Sequence, residues 1–195
     1  MDLSFGSEYD EFRLEVKDFL ANNAHKAPKG SDLRGQAAKD WQKLLIENGY
    51  TARTIPKEFG GFGAEPDILK SRIIAEEFSN LKVNTGLGGQ GISMLVPTLL
   101  EMGTQEQKEQ FIRPTIMGEM IWCQGYSEPG AGSDLANLQT RAELSADGTY
   151  YTVNGQKTWT TLAHIAHWMF CLTRTQSTGV KQEGITFLLI PMTDP

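Results

Sequence analysis

Apolar residues recur every three to four positions through the first ~118 residues, then switch to short runs and alternation. Phe12, Val16, Phe19 and Leu20 fall on one face of a predicted helix that Ser7 and Asp10 can open. Ala37, Trp41, Leu44 and Leu45 repeat the spacing, and Gly49 predicts its end. Residues 51–66 hold Pro56, Gly60, Gly61, Gly63 and Pro66 and read as a loop. Leu69, Ile73, Ile74 and Phe78 predict a third helix. Ile92, Leu95, Val96, Leu99 and Leu100 form a fourth stripe, which Pro97 should break or kink because it has no N–H to donate. Thr104 with Gln107 forms a capping box just after Gly103, opening a helix through Phe111 and Ile112.

From Met120 onward the signals are those of strands. Residues 120–126 are short and apolar. Residues 141–144 and 150–153 alternate on either side of Asp147-Gly148, and Asn154-Gly155 leads into residues 156–161; both dipeptides predict hairpins. Residues 167–173 and 185–190 are two further strand candidates. Helices followed by strands argue for an α+β chain, with an N-terminal all-α domain over residues 1–118 and a β-domain over residues 119–195, and against alternating β-α units.

Composition narrows the function classes. The net charge is −6 and no basic block is present, which disfavours non-specific nucleic-acid binding. Residues 1–10 lack the basic and apolar regions of a secretory signal, and no apolar run is long enough to span a bilayer, so a cytoplasmic location is expected. Cys123 and Cys171 lack metal-ligand spacing and are expected to be buried free thiols. His25, His164 and His167 have no carboxylate or thiol at ligand spacing, so no metal is expected. The run from Gly86 to Gly91 fits the dinucleotide pattern G-x-G-x-x-G, but that pattern needs a preceding strand, and the preceding stretch has helical spacing. No Gly-x-Ser-x-Gly nucleophile motif is present.

Two segments carry candidate chemistry. The first, Trp122-Cys-Gln-Gly-Tyr-Ser-Glu-Pro-Gly-Ala-Gly-Ser-Asp134, runs from an apolar stretch into a tight loop with Gly130 and Gly132 beside Ser127 and Ser133. Glycines allow sharp turns and expose successive N–H groups, a concavity suited to an anionic oxygen. The second, Asn154-Gly-Gln-Lys-Thr-Trp-Thr-Thr161, sets an indole among hydroxyls. Trp159 could be a cross-strand aromatic. A flavin, however, needs a flat apolar surface and donors along its ring edge, and both segments suit it.

In order and spacing the two segments resemble the flavin-binding signature of the acyl-CoA dehydrogenase family. Ile55-Pro-Lys-Glu-Phe-Gly-Gly61, Met102-Gly-Thr-Gln-Glu-Gln-Lys108 and Gly118-Glu119 extend the resemblance over essentially the whole chain. It implies an N-terminal helical domain followed by an incomplete antiparallel β-barrel, with a C-terminal helical domain lying beyond this chain. It implies FAD as cofactor, with Gln124, Gly125, Tyr126 and Ser127 along the pyrimidine edge. Ser133 is placed at the pyrophosphate or the CoA chain, and Trp159, Thr160 and Thr161 near flavin N5. Glu128 shapes the turn in the family. The stripe from Gln90 to Val96 resembles a helix lining the acyl pocket. The implied reaction is α,β-dehydrogenation of an acyl-CoA, passing electrons to an electron-transfer flavoprotein. The chain is expected to be an N-terminal portion of a homo-oligomeric enzyme, without an assignable catalytic base and inactive by itself. A flavoprotein oxidase of the same fold and a non-catalytic subunit paired with a complete homologue are the alternatives.

Overall fold

The computed structural model describes residues 6–29, 34–177 and 179–193. The chain divides into two compact units. One extends through Gly88 and resumes over Thr98–Glu119; the other comprises Gly89–Pro97 and the chain from Met120 onward.

The first unit is helical: α1 (Ser7–Asn23), α2 (Gln36–Glu47), α3 (Ile68–Asn80) and α5 (Gln105–Ile116), with α4 (Val96–Met102) entering it from the second unit. Its core joins Val16, Phe19 and Leu20 of α1 to Trp41 and Leu45 of α2 and Ile73, Ile74 and Phe78 of α3. All of these belong to the predicted apolar stripes; Phe12 and Leu44 pack against them partly buried, Leu69 is only half-buried outside the cluster, and Ala38 is buried where Ala37 is exposed. The α1 N-cap is Gly6, without a side-chain bond, so Ser7 lies inside the helix. Helix α2 ends as Gly49 predicts. Gly49 takes φ 71°, its N–H reaches Ile46 O, and the Tyr50 N–H reaches Leu45 O, satisfying two terminal carbonyls. The capping box also forms: the Gln107 N–H donates to Thr104 Oγ1 at 3.2 Å, and the Thr104 N–H donates to Gln107 Oε1 at 3.0 Å.

The buried Gln42 amide is paired on both sides. Gln42 donates to Ile116 O at 2.7 Å and accepts from the Leu87 N–H at 2.7 Å. A Cβ at Gly86 would lie 2.4 Å from Gln42 Oε1, so this glycine serves close packing, and the stretch before it is helix α3. The dinucleotide pattern over Gly86 to Gly91 therefore lacks its strand.

The fourth stripe is divided near its proline. Residues Gly91–Leu95 form a π-turn in which the Val96 N–H reaches back to Gly91 O, and Val96–Met102 continues as α-helix. Pro97 directly follows this π-turn, so the residue without an N–H falls where the helical bonding pattern changes.

The second unit holds β1 (Trp122–Gly125), β2 (Arg141–Leu144), β3 (Tyr151–Asn154), β4 (Trp168–Arg174) and β5 (Ile185–Pro191). The sheet is mixed. Strand β4 pairs antiparallel with β5 over its whole length. Its other edge pairs parallel with β1, from Trp122↔Trp168 to Gly125↔Cys171, and meets β2 at Arg141↔Arg174. Strands β2 and β3 form the antiparallel hairpin expected at Asp147-Gly148. The second expected hairpin, at Asn154-Gly155, does not form: residues 155–160 contain no strand. Gly155 lacks a left-handed φ; a Cβ there would lie 2.3 Å from Thr140 Oγ1, so close approach, not a turn, requires glycine.

No helix among the described residues is long and apolar enough to cross a membrane.

Candidate functional site

The two candidate segments meet. Strand β1 is locked against β4, since a Cβ at Gly125 would lie 2.5 Å from Met169 Sδ and 3.0 Å from Cys171 Sγ. Beyond Gly125 the chain leaves the sheet at Tyr126, whose ring meets Phe170 edge-on at 5.8 Å between centroids. The Thr158 N–H then donates to Ser127 O at 2.8 Å, and the Lys157 ammonium donates to Tyr126 O at 3.2 Å. Residues about thirty positions apart are thus tied side by side at the exit of β1.

Glu128 anchors the junction. Its backbone closes a turn with Ala131 through two hydrogen bonds of 2.9 and 3.1 Å. Its carboxylate accepts from Lys157 Nζ at 2.8 Å, the Gln139 N–H at 2.6 Å and the Thr140 N–H at 2.9 Å. The Glu128 and Lys157 side chains are 6% and 8% exposed. Burial alone would raise the Glu128 carboxyl; Lys157 and these backbone donors outweigh it and hold it at about 2. A carboxylate so held is a poor proton acceptor at neutral pH, so Glu128 is a structural anion and not a general base.

The other predicted residues occupy several settings. Gln124, in β1, accepts from Gln90 Nε2 at 3.1 Å and donates to Met94 Sδ at 3.7 Å, which ties β1 to the π-turn. Trp159 is 90% exposed and has φ 58°, a left-handed conformation that a bulky side chain rarely adopts. It lies outside any strand, so the cross-strand reading does not apply. Thr161 is exposed; its N–H is engaged by Trp159 O at 3.0 Å, leaving its hydroxyl as the donor. Thr160 lines a cavity of about 370 Å³ with Lys157, Ala163, Met169 and Cys171. The Thr158 hydroxyl is buried without a hydrogen-bond partner among the described residues.

Ser133 stands apart from this junction. It is exposed beyond the turn, beside Asp134, whose carboxylate pairs with Lys181 at 2.8 Å. Neither Gly130 nor Gly132 has a left-handed φ, so the turn does not require glycine for conformation. A Cβ at either would meet nothing within 4 Å, and among the described residues the N–H groups of Gly130, Gly132 and Ser133 have no protein partner. The backbone is left open to approach there, as an anionic group requires.

The remaining candidates are structural. Cys123 and Cys171 are buried and unbridged, and burial pushes the Cys171 thiol up to about 11, which keeps it protonated and unreactive near neutrality. His167 Nδ1 accepts from the Ile121 N–H at 2.9 Å. Lys157 is the residue that sequence reasoning passed over. Its signal was a lone cation in a hydroxyl-rich segment, with two anions, Glu128 and Asp134, in the partner segment.

Comparison with known proteins agrees with this architecture. The models for the N-terminal domain and the middle domain of acyl-CoA dehydrogenase match residues 6–119 and 123–195. The chain belongs to the acyl-CoA dehydrogenase family. Acyl-CoA dehydrogenase IpdE1 of Mycolicibacterium smegmatis is 37% identical over 205 residues, covering 96% of this chain and 52% of that protein. Acyl-CoA dehydrogenase FadE34 of Mycobacterium tuberculosis is 54% identical over 157 residues, covering 79% of this chain and 21% of that one. The crystal structure of the ChsE4-ChsE5 complex from Mycobacterium tuberculosis matches with a TM-score of 0.71 at 31% identity, covering 99% of this chain and 49% of that chain. The chain thus spans about half the length of IpdE1, and less of FadE34.

Proposed function

We propose that this chain forms the helical domain and much of the flavin-binding β segment of an FAD-dependent acyl-CoA dehydrogenase. The observation that carries the reading is the junction at the exit of β1, where the Thr158 N–H bonds Ser127 O beside an indole that is 90% exposed. The residues present suit the cofactor. Gln124 to Ser127 offer an edge of amide and hydroxyl groups, and Trp159 offers a flat apolar face that the rest of the chain leaves uncovered. The Thr161 hydroxyl supplies a donor, and the backbone around Gly130 to Ser133 is open for a phosphate oxygen. FAD, when bound, supplies the hydride acceptor for the β-hydrogen of an acyl-CoA thioester, and its electrons pass onward to an electron-transfer flavoprotein. A hydroxyl fixed near the acceptor stabilises the charge that develops there. Ser133 is assigned to the pyrophosphate or the CoA chain.

A second reading has a specific observation behind it: the structural relative named above is a complex of two differently named chains. The chain would then act as one subunit of a mixed assembly, pairing with a complete homologue that carries the base.

The test joins residues 1–195 to the C-terminal half of IpdE1, adds FAD and then, without oxygen, a panel of acyl-CoA thioesters. A yellow complex that bleaches on acyl-CoA addition is expected. A folded fusion that stays colourless with FAD and binds NADH would overturn the cofactor assignment. A fusion that binds FAD but bleaches only after a longer homologue is added would favour the subunit reading.

A further inference from the structure

We propose that Lys157 is a positioning residue, whose ammonium clasps the two flavin-facing segments together through Glu128 and the Tyr126 carbonyl. The proposal rests on the FAD reading above and adds to it the device that sets the spacing of the site.

Residues 155–160 belong to no strand, so no ladder of backbone bonds fixes them. Among the described residues, three hydrogen bonds join this segment to the exit of β1. The Thr158 N–H donates to Ser127 O, and Lys157 Nζ donates to Tyr126 O and to Glu128 Oε1. Two of the three come from one ammonium. The same carboxylate takes the N–H groups of Gln139 and Thr140, so the residues leading into β2 are drawn into the same knot.

Lys157 and Glu128 are almost wholly buried, and their charges are engaged with each other and with Tyr126 O and the Gln139 and Thr140 N–H groups. Their effect must pass through the neighbours they hold, Ser127 on one side and Thr158 to Thr161 on the other. A buried ion pair seldom adds more stability than apolar side chains of the same volume. What it adds here is geometry. One ammonium must reach a carboxylate and a carbonyl two residues apart in the opposite segment, and only one placement of the two segments satisfies both.

The experiment uses residues 1–195 joined to the C-terminal half of IpdE1, with residue-resolved amide exchange and FAD titration followed by absorbance. In the native fusion the amides of Gln139, Thr140 and Thr158 should exchange slowly. Lys157→Met should speed Thr158 and Gln139 at least tenfold while the amides between β4 and β5 keep their rates. It should also weaken FAD binding at least tenfold and shift the bound flavin's absorption bands. Lys157→Arg, which retains the cation, should recover part of each effect. Lys181→Met, which removes the exposed pair with Asp134, should behave as native.

Unchanged exchange at Thr158 together with unchanged FAD affinity in Lys157→Met would overturn the clasp. Equal loss of protection across the whole sheet would also overturn it, by showing a general role in stability. A native fusion that binds no FAD would sink the flavin reading, and the exchange data would then decide the clasp alone. Should Lys157→Met lose its circular-dichroism signal, Glu128→Gln takes its place with the same expectations. If that variant also fails to fold, fast exchange of Thr158 in the native fusion overturns the proposal and slow exchange supports it.

Discussion

The helical unit and the loops at the exit of β1 are held by different forces. The helical core joins Val16, Leu20, Trp41, Leu45, Ile73 and Phe78, all nearly inaccessible, across three helices. Burial of such side chains contributes roughly 25 cal/mol per Å² and is tolerant of direction. The β1 exit instead relies on one buried charge pair and a few directed bonds: Lys157 to Glu128 and Tyr126, and Thr158 to Ser127. An apolar core can relax around a lost methyl group, whereas a buried carboxylate that loses its cation has nowhere to turn. The difference teaches that the part of this chain most suited to chemistry is also the part most sensitive to single polar substitutions.

The largest expected effect tests that claim directly. Lys157→Met should lower the local opening free energy of the β1 exit by about 3–5 kcal/mol, because it leaves the Glu128 carboxylate buried with backbone donors alone. Amide exchange at Gln139, Thr140 and Thr158 measures it against the β4–β5 amides, and a loss below about 1 kcal/mol would erase the contrast between the regions.

Leu45→Ala in the helical core, where the side chain is fully buried, should cost about 2–5 kcal/mol. Its effect on FAD absorbance in the folded protein should be negligible. A spectral change equal to that of Lys157→Met would show that the two regions are not separable in this way.

Acid should distinguish the regions next. The Glu128 carboxyl is held at about 2 against an ordinary 4.5. Its folded-state pKa is depressed, so its contribution is fully present above about pH 4.5 and is lost as pH falls through about 2. Amide exchange at Gln139 and Thr140 should therefore accelerate between these limits, beyond the intrinsic pH dependence of exchange. Protection that disappears already near pH 5 would mean that the carboxylate is not held by these bonds.

The smallest effect belongs to the pair just beyond the turn. Lys181 and Asp134 lie at 2.8 Å, but their side chains are 53% and 56% exposed. Lys181→Met should change stability by less than about 1 kcal/mol, and salt should mask even that. A loss matching that of Lys157→Met would show that distance, not burial, sets the value of an ion pair here.

Much of the helical unit was legible because period and burial coincide there. The stripes at Phe12, Val16, Phe19 and Leu20 and at Ile73, Ile74 and Phe78 mark the faces that pack, and Gly49 and Thr104 mark a stop and a start through bonds made within a few residues. The strand order was not legible. That β1 and β4 pair in parallel depends on partners more than forty residues apart, and alternation in a strand does not name its neighbour. Asn154-Gly155 carried a hairpin signal that the fold overrode, since Thr140 packs where a Cβ at Gly155 would lie. The two candidate segments could be picked out by composition, and the structure ties them at Ser127 and Thr158.

By itself the sequence determined the change from helices to strands near residue 120, the apolar faces, the stop at Gly49, the capping box at Thr104 and the two segments rich in glycine, hydroxyl and indole groups. These depend on neighbours within a turn or two of chain, which residue order specifies directly. Only the tertiary structure decided that Lys157 reaches Glu128, that Gln124 meets Gln90, and that Trp159 stands exposed with a left-handed backbone. The physical reason is that a charge or an amide selects its partner by distance and desolvation after the chain has folded, and residue order carries neither.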